Sequence, residues 1–305
     1  MMKGMMVVIT TQNISKRFND VLALNDISLH INKGAVFGLV GTNGAGKSTF
    51  LRLLAGIYRP DSGSITIDDQ PVWENNEVKR RICYISDEQY FFANATPLEV
   101  ARYYNGIYPN FDLQRFSGLM QGFELTSNRK INTFSKGMKK QLSVILGLSA
   151  GVDYIFCDET FDGLDPVMRH AVKSLFAADV ADRGLTPIIA SHNLRELEDI
   201  CDHVGLLHRG GVLLEKDLDD MKLGAGKVQC VLPEGVEPSS LGLNIVIDEQ
   251  RGQLHTLIAR GTQEEIMTKV AAANPVFMEF LPLTLEEFFI METEVAGYDL
   301  KKLFI

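Results

Sequence analysis

One stretch narrows the fold more than any other. Gly41-Thr42-Asn43-Gly44-Ala45-Gly46-Lys47-Ser48-Thr49 fits the G-x-x-x-x-G-K-[ST] pattern and directly follows the apolar run Val36 to Val40. A strand that empties into a glycine-rich turn and then a helix is the setting in which this pattern cradles phosphates. The glycines let the backbone turn tightly and aim successive N–H groups inward, and the helix start near Lys47 presents its positive end to the same anion. Lys47 is placed to reach β- and γ-phosphates, Ser48 to offer an oxygen to Mg²⁺, and Thr49 to hydrogen-bond an α-phosphate. A nucleotide-binding α/β protein is the expectation.

The rest of the first two thirds agrees with that class. Short apolar runs recur at Ile82 to Ile85, Tyr154 to Cys157, Pro187 to Ala190 and Val204 to Leu207, each bounded by Gly, Asp or Ser. Such runs suit strands buried on both faces of a largely parallel sheet. Ile27 to Ile31 and Ser64 to Ile67 alternate apolar and polar residues, as half-exposed antiparallel strands do, which predicts a smaller side sheet. From Thr96 to Gly151 the pattern is helical, opening with Thr96-Pro97-Leu98-Glu99, a capping box with proline in the first turn. Arg209-Gly210-Gly211 reads as a hairpin turn, and Lys222 to Gly226 as a linker. Beyond it, strands near 227–232, 244–248, 253–259 and 276–281, with helices opening at Thr262 and Thr284, predict a compact α+β unit.

Two further sites carry chemistry. Asp158-Glu159 closes the apolar run Tyr154 to Cys157, at the strand end where open α/β sheets bind ligands. Asp158 suits Mg²⁺ coordination through water, and Glu159 suits orienting or deprotonating an attacking water. Without the phosphate loop the pair would read as helix-capping acids. His192 follows Ile188 to Ser191 and is also placed at a strand end, within reach of a γ-phosphate. The guanine-specifying N-K-x-D pattern is missing, since Asn32-Lys33 continues with Gly34-Ala35, which favours adenine.

Composition removes other classes. The net charge of −9 has the wrong sign for gripping nucleic acid by charge alone, so no nucleic-acid partner is expected. The four cysteines, Cys83, Cys157, Cys201 and Cys230, lack metal-ligand spacing and read as small apolar residues in a reducing compartment. No run approaches the roughly 20 apolar residues that span a bilayer, so any membrane role is expected to be borrowed from a partner.

Thr133-Phe134-Ser135-Lys136-Gly137-Met138-Lys139-Lys140-Gln141 resembles the signature motif of ABC-type ATPases. With Gly41 to Thr49, Asp158-Glu159, Asp162-Gly163-Leu164-Asp165 and His192 in that order, the resemblance spans about residues 7–220. It implies a P-loop NTPase of the ABC type: a mixed sheet core, an antiparallel side sheet and a helical subdomain over about 96–151, within an ATP-binding domain over 1–222. A small α+β accessory domain would occupy 227–305. The resemblance further implies ATP and Mg²⁺, a head-to-tail pair of ATPase subunits in a homo- or heterodimer, and Ser135 and Gly137 contacting the γ-phosphate held by the opposite subunit. Phe18 would stack on adenine, where composition alone would read it as core. Asp162 to Asp165 would couple the two sites, and His192 would hold the γ-phosphate.

Some positions depart from the family pattern. Asp87 stands where a Mg²⁺-sensing glutamine is usual, with Gln89 two residues later, and either can serve. Phe134, Lys136 and Met138 replace the commoner Leu, Gly and Gln, and Thr160 replaces a usual Pro. Leu283-Thr284-Leu285-Glu286-Glu287-Phe288-Phe289, followed by Gly297-Tyr298, resembles the end of bacterial ATPase subunits that serve a separately encoded export permease. That reading places the chain in the cytoplasm, at the inner face of the membrane through its permease, with Tyr90, Phe91 and Phe92 beside the docking cleft. The competing classes are a soluble ABC-type ATPase of translation or DNA maintenance, and a nucleotide-dependent regulator. The first usually carries paired ATPase domains, long coiled coils or zinc insertions, which this sequence lacks.

Overall fold

The computed structural model describes residues 6–295. Gly297 and Tyr298 of the tail motif lie outside the described residues. The chain divides after Glu215 into two compact units.

In the first unit the phosphate-loop strand, β3 (Phe37–Val40), sits inside a six-stranded sheet and leads into α1 (Lys47–Leu54). Its parallel neighbours are β8 (Thr186–Ser191) and β9 (His203–His208). Beyond β8 lie β7 (Tyr154–Asp158) and β6 (Ile82–Ile85), also parallel. β10 (Gly211–Asp217) takes the other edge. Every residue of β3, β7 and β8 is buried, which is why these strands read as unbroken apolar runs and not as alternation. Arg209 and Gly210 both take positive φ, 47° and 80°, as a two-residue hairpin turn of the twist-matched type requires.

The parallel order has one consequence for function. Val40 is in register with Ser191, and Asp158 with Ala190, so β3, β7 and β8 deliver their following residues to a single edge of the sheet. α6 (Pro166–Arg183) follows β7, and α7 (Leu194–Glu198) follows β8.

The side sheet has the order β2-β1-β4-β5: β1 (Val7–Phe18), β2 (Val21–Asn32), β4 (Ser62–Ile67) and β5 (Gln70–Pro71), all antiparallel. Ile9, Ile14, Leu24 and Ile27 from this sheet meet Phe50 and Leu51 of α1 and Phe37 and Phe156 of the central sheet in one core. The length of β1 was not predicted. Its register shifts around Asn13, which takes φ 49° and binds Asp26 Oδ1 through its side-chain amide at 2.8 Å. Such bulges break the period-2 pattern that identifies a strand.

α2 (Asn76–Lys79) precedes β6. The helical segment consists of α3 (Pro97–Ile107), α4 (Leu113–Gly122) and α5 (Lys136–Ser149). Local chemistry sets each start. Thr96 and Glu99 form the expected capping box, Asp112 caps α4 through the Arg115 N–H, and Ser135 caps α5 through the Met138 N–H.

The second unit opens with α8 (Leu218–Gly224) and carries a four-stranded antiparallel sheet in the order β12-β13-β11-β14: β11 (Ala225–Val231), β12 (Asn244–Arg251), β13 (Leu254–Arg260) and β14 (Phe277–Leu281). α9 (Gln263–Ala272) buries Ile266 and Val270 against Val228, Cys230, Leu257 and Ala259. α10 (Leu285–Val295) starts at the reciprocal Thr284–Glu287 pair. The expected linker at Lys222 to Gly226 is corrected here: Gly224 ends a helix and Ala225 begins a strand. Gly226 serves packing and not flexibility, since a Cβ there would lie 2.5 Å from the Phe280 ring. All four cysteines are buried and free. Among the described residues no helix is long and apolar enough to cross a membrane.

Candidate functional site

Between β3 and α1 the chain folds back tightly on itself. Gly46 has φ 106°, and a Cβ on it would stand 2.7 Å from both Ala23 O and Leu24 Cδ2. A Cβ on Gly41 would stand 2.5 Å from Leu207 O. Both positions therefore demand glycine, one for conformation and space, the other for space alone. The residue before α1, Gly46, has no side chain to cap the helix, which leaves the helix start open to an anion. Asn43 and Gly44 are exposed at the loop tip, Ala45 is buried, and Thr49 is half-buried.

Lys47 is only 5% exposed. Its ammonium donates to Gly41 O at 2.6 Å and Thr42 O at 3.3 Å, and lies 3.2 Å from Glu159 Oε1. The loop thus holds a buried cation whose partners are its own carbonyls and one carboxylate. Ser48, next on the helix, donates from Oγ to Asp158 Oδ1 at 2.9 Å.

Asp158, 1% exposed at the end of β7, receives a second hydrogen bond at Oδ2 from the Tyr84 hydroxyl, 2.9 Å away. Arg52 Nε donates to that hydroxyl oxygen at 3.3 Å. Burial, with the Asp158 charge adding to it, pushes the Tyr84 phenol up to about 12 against the opposing Arg52, so Tyr84 stays a donor across the physiological range. Ser48 and Asp158 present only oxygens beside a phosphate loop, the donor set that a hard divalent cation such as Mg²⁺ prefers.

Glu159 takes φ 47°, a left-handed backbone uncommon outside glycine. Its main chain is tied on both sides, the N–H to Ala190 O at 3.0 Å and the carbonyl to Lys140 Nζ at 2.8 Å. Its Oε2 accepts from the His192 backbone N–H at 3.3 Å and stands 3.0 Å from His192 Nδ1. The same nitrogen is 3.7 Å from Asp162 Oδ2. Lys47, Glu159 and His192, chosen from separate parts of the sequence, therefore form one contact network, and Ser48 and Asp158, the chain neighbours of Lys47 and Glu159, form a hydrogen-bonded pair beside it. A phosphate-binding loop, a buried cation, an oxygen pair for a metal and a carboxylate aimed over them can together hold and hydrolyse a nucleoside triphosphate.

Of the other expected residues, Asp87 reaches Glu159 only through Lys140, and the rest lie around the network without joining it. Asp87 Oδ1 is 3.1 Å from Lys140 Nζ, and Gln89 turns its amide onto the Ser86 and Asp87 carbonyls at 3.0 and 2.7 Å. Among the described residues, neither is hydrogen-bonded to Ser48 or Asp158. The Ser135 side chain is engaged as the α5 cap, and Asp165 caps α6 through the Val167 and Met168 N–H groups at 3.0 Å. Gly137 lies against Gly163, where a Cβ would come 3.3 Å from the carbonyl oxygen.

Phe18 is 39% exposed, edge-on to Tyr58 with ring centroids 5.3 Å apart, so it is not a core residue. It pairs with Val21, two residues before the Ala23–Leu24 segment that touches Gly46. The β1–β2 hairpin that carries Phe18 therefore also carries the segment packed against the phosphate loop. Tyr84 and Lys140 were not singled out from sequence. A phenol inside the apolar run Ile82 to Ile85 was the available signal for Tyr84; for Lys140, among Lys136, Lys139 and Lys140, there was none.

Comparison with known proteins supplies the context. The ABC transporter family model matches residues 24–162. The chain is 34% identical over 283 residues to the ABC transporter ATP-binding protein YtrB of Bacillus subtilis, covering 93% of this chain and 97% of that protein. It is 30% identical over 222 residues to the bacitracin transport ATP-binding protein BcrA of Bacillus licheniformis, covering 72% of each. A solved ATP-binding subunit of an ABC transporter superposes with a TM-score of 0.65 at 26% identity, covering 70% of this chain and 92% of that one.

Proposed function

This chain belongs to the family of ABC transporter ATP-binding proteins, which hydrolyse ATP to drive transport, and on that premise we propose how its residues share the work and what it serves. It is the ATPase subunit of a bacterial exporter, docked on the cytoplasmic face to a separate membrane-spanning permease. Residues 1–222 are the ATP-binding domain and 227–305 an accessory domain. Support for a transport role comes from the bacitracin transport relative. The observation that carries the assignment is the network in which Lys47 and His192 both contact the Glu159 carboxylate beside the Ser48–Asp158 pair.

In this reading the Gly41 to Thr49 amides and Lys47 bind the triphosphate, and Phe18 stacks on adenine. Ser48 and Asp158 would hold Mg²⁺, with Asp87 or Gln89 as the further candidate for it, and the ion would supply positive charge against the triphosphate. Glu159, oriented by His192, accepts a proton from the water that attacks the γ-phosphorus. The bond to the bridging oxygen breaks, and ADP and phosphate leave. Ser135 and Gly137 meet the γ-phosphate of a second subunit, with Asp165 at the start of α6 linking the two sites. Two ATP molecules thus close a dimer that hydrolysis reopens, and the permease follows because the two states bind it differently.

An exposed aromatic ladder supports the docking face. Tyr90 is 86% exposed, Phe92 lies edge-on to it at 6.4 Å, and Tyr103 of α3 continues the stack at 5.1 Å. Aromatic rings left in solvent are a feature of partner-binding surfaces. The test is Glu159→Gln: it binds ATP, accumulates as a closed dimer by light scattering, and loses hydrolysis. Wild-type turnover in that variant would remove Glu159 from the role.

A further inference from the structure

Lys140 lies at a junction that the hydrolysis scheme above does not use. It sits in α5, one turn beyond the Ser135 cap, with its side chain only 11% exposed. Its ammonium has two oxygen partners: the Glu159 carbonyl at 2.8 Å and Asp87 Oδ1 at 3.1 Å. Glu159 is in a left-handed backbone conformation that a glutamate holds only where its surroundings over-determine it. The Ala190 carbonyl fixes one side of that residue and Lys140 the other. Removing the ammonium leaves the carbonyl side free to rotate, and the carboxylate, carried three bonds out from the same Cα, moves with it.

We propose that Lys140 is a positioning residue for Glu159, and that Asp87 in the loop after β6 holds Lys140 in place, so that the loop governs hydrolysis through a single ammonium group. Resting as it does on the assignment of Glu159 as base, the proposal predicts a turnover defect without a nucleotide-binding defect. The carbonyl contact fixes the base and touches no part of the phosphate loop. A base displaced by about 1 Å loses on the order of 10- to 100-fold in rate.

The test compares Lys140→Met, Lys140→Arg, Asp87→Asn and the Lys140→Met/Asp87→Asn pair in the full-length chain, measuring kcat, KM, ATP affinity by equilibrium titration, and thermal melting. Lys140→Met should lower kcat about 10- to 100-fold with KM and ATP affinity within about twofold of wild type, and Lys140→Arg should recover most of the rate. Asp87→Asn should lower kcat by a smaller factor, about two- to fivefold, and the pair should be no slower than Lys140→Met alone, because both act through one contact. Unchanged kcat in Lys140→Met, or equal loss in kcat and ATP affinity, overturns the proposal. Additive losses overturn the Asp87 link. If Lys140→Met fails to fold, Asp87→Asn, at a side chain 54% exposed, decides alone, and wild-type kcat there refutes the relay. Glu159→Gln measured alongside separates the two levels. Full activity in that variant sinks the base assignment, whereas an inactive Glu159→Gln with a fully active Lys140→Met sinks only this inference.

Discussion

The Tyr84–Asp158 hydrogen bond gives a prediction whose size can be worked from the geometry. Tyr84→Phe keeps the ring and creates no cavity; it removes the O–H donor 2.9 Å from a carboxylate that is 1% exposed and, with it, the longer 3.3 Å acceptor contact to Arg52 Nε. A hydrogen bond to a charged group contributes about 1.5–3 kcal/mol. Tyr84 is only half-buried, so water recovers part of this and the expected loss is about 1–2 kcal/mol. For a unit of about 200 residues each kcal/mol shifts melting by about 2–4 °C, so the first unit should melt about 2–8 °C lower. Calorimetry at neutral pH reads this directly. The control is the same substitution in an Asp158→Ala background, where the hydroxyl has already lost its acceptor and the shift should largely vanish. Melting equal to wild type, or an equal shift in both backgrounds, would refute the claim that Tyr84 secures Asp158.

Two other outcomes follow from the geometry. Gly46→Ala places a methyl group 2.7 Å from Ala23 O at φ 106°, which costs on the order of 1–3 kcal/mol in backbone strain alone and should abolish measurable ATP binding in equilibrium titration; micromolar binding retained by that variant would contradict the packing argument. Glu287 is half-buried, which opposes its charge, but two hydrogen bonds from Lys227 and the Thr284 N–H outweigh burial and hold its carboxyl below the usual value of 4.5. A depressed folded-state value means stability that is complete above the unfolded value and is lost as pH falls through the folded one. The second unit should therefore weaken as pH drops below about 4.5, and Glu287→Gln should flatten that decline in acid melting curves; a curve unchanged by the substitution would exclude this pair as its source.

How much of this was legible in the sequence depends on the range of the contact involved. The phosphate loop, the strand ends at Asp158 and Ser191, and the helix starts at Thr96, Thr262 and Thr284 were readable because each is specified within a few residues. β1 was missed because Asn13 takes a left-handed conformation that offsets its apolar positions from strict alternation. Gly226 was misread because the ring that demands a glycine there, Phe280, lies on a strand far along the chain. Tyr84 meets Asp158 across 74 residues, and Lys140 meets Asp87 across 53, separations over which pattern carries no information. Asp87 and Gln89 were nominated by the family resemblance alone, and their contacts here, one with Lys140 and the other with its own loop, were not legible in the sequence.

The central claim is that ATP bound in this chain works a membrane partner. It is tested most directly by purifying tagged Glu159→Gln from detergent-solubilised native membranes with Mg-ATP present and identifying what comes with it. The account predicts a multi-spanning permease in stoichiometric amount, lost when Tyr90 and Phe92 are replaced by alanine. Recovery of ribosomes, nucleic acid or only soluble proteins would contradict it.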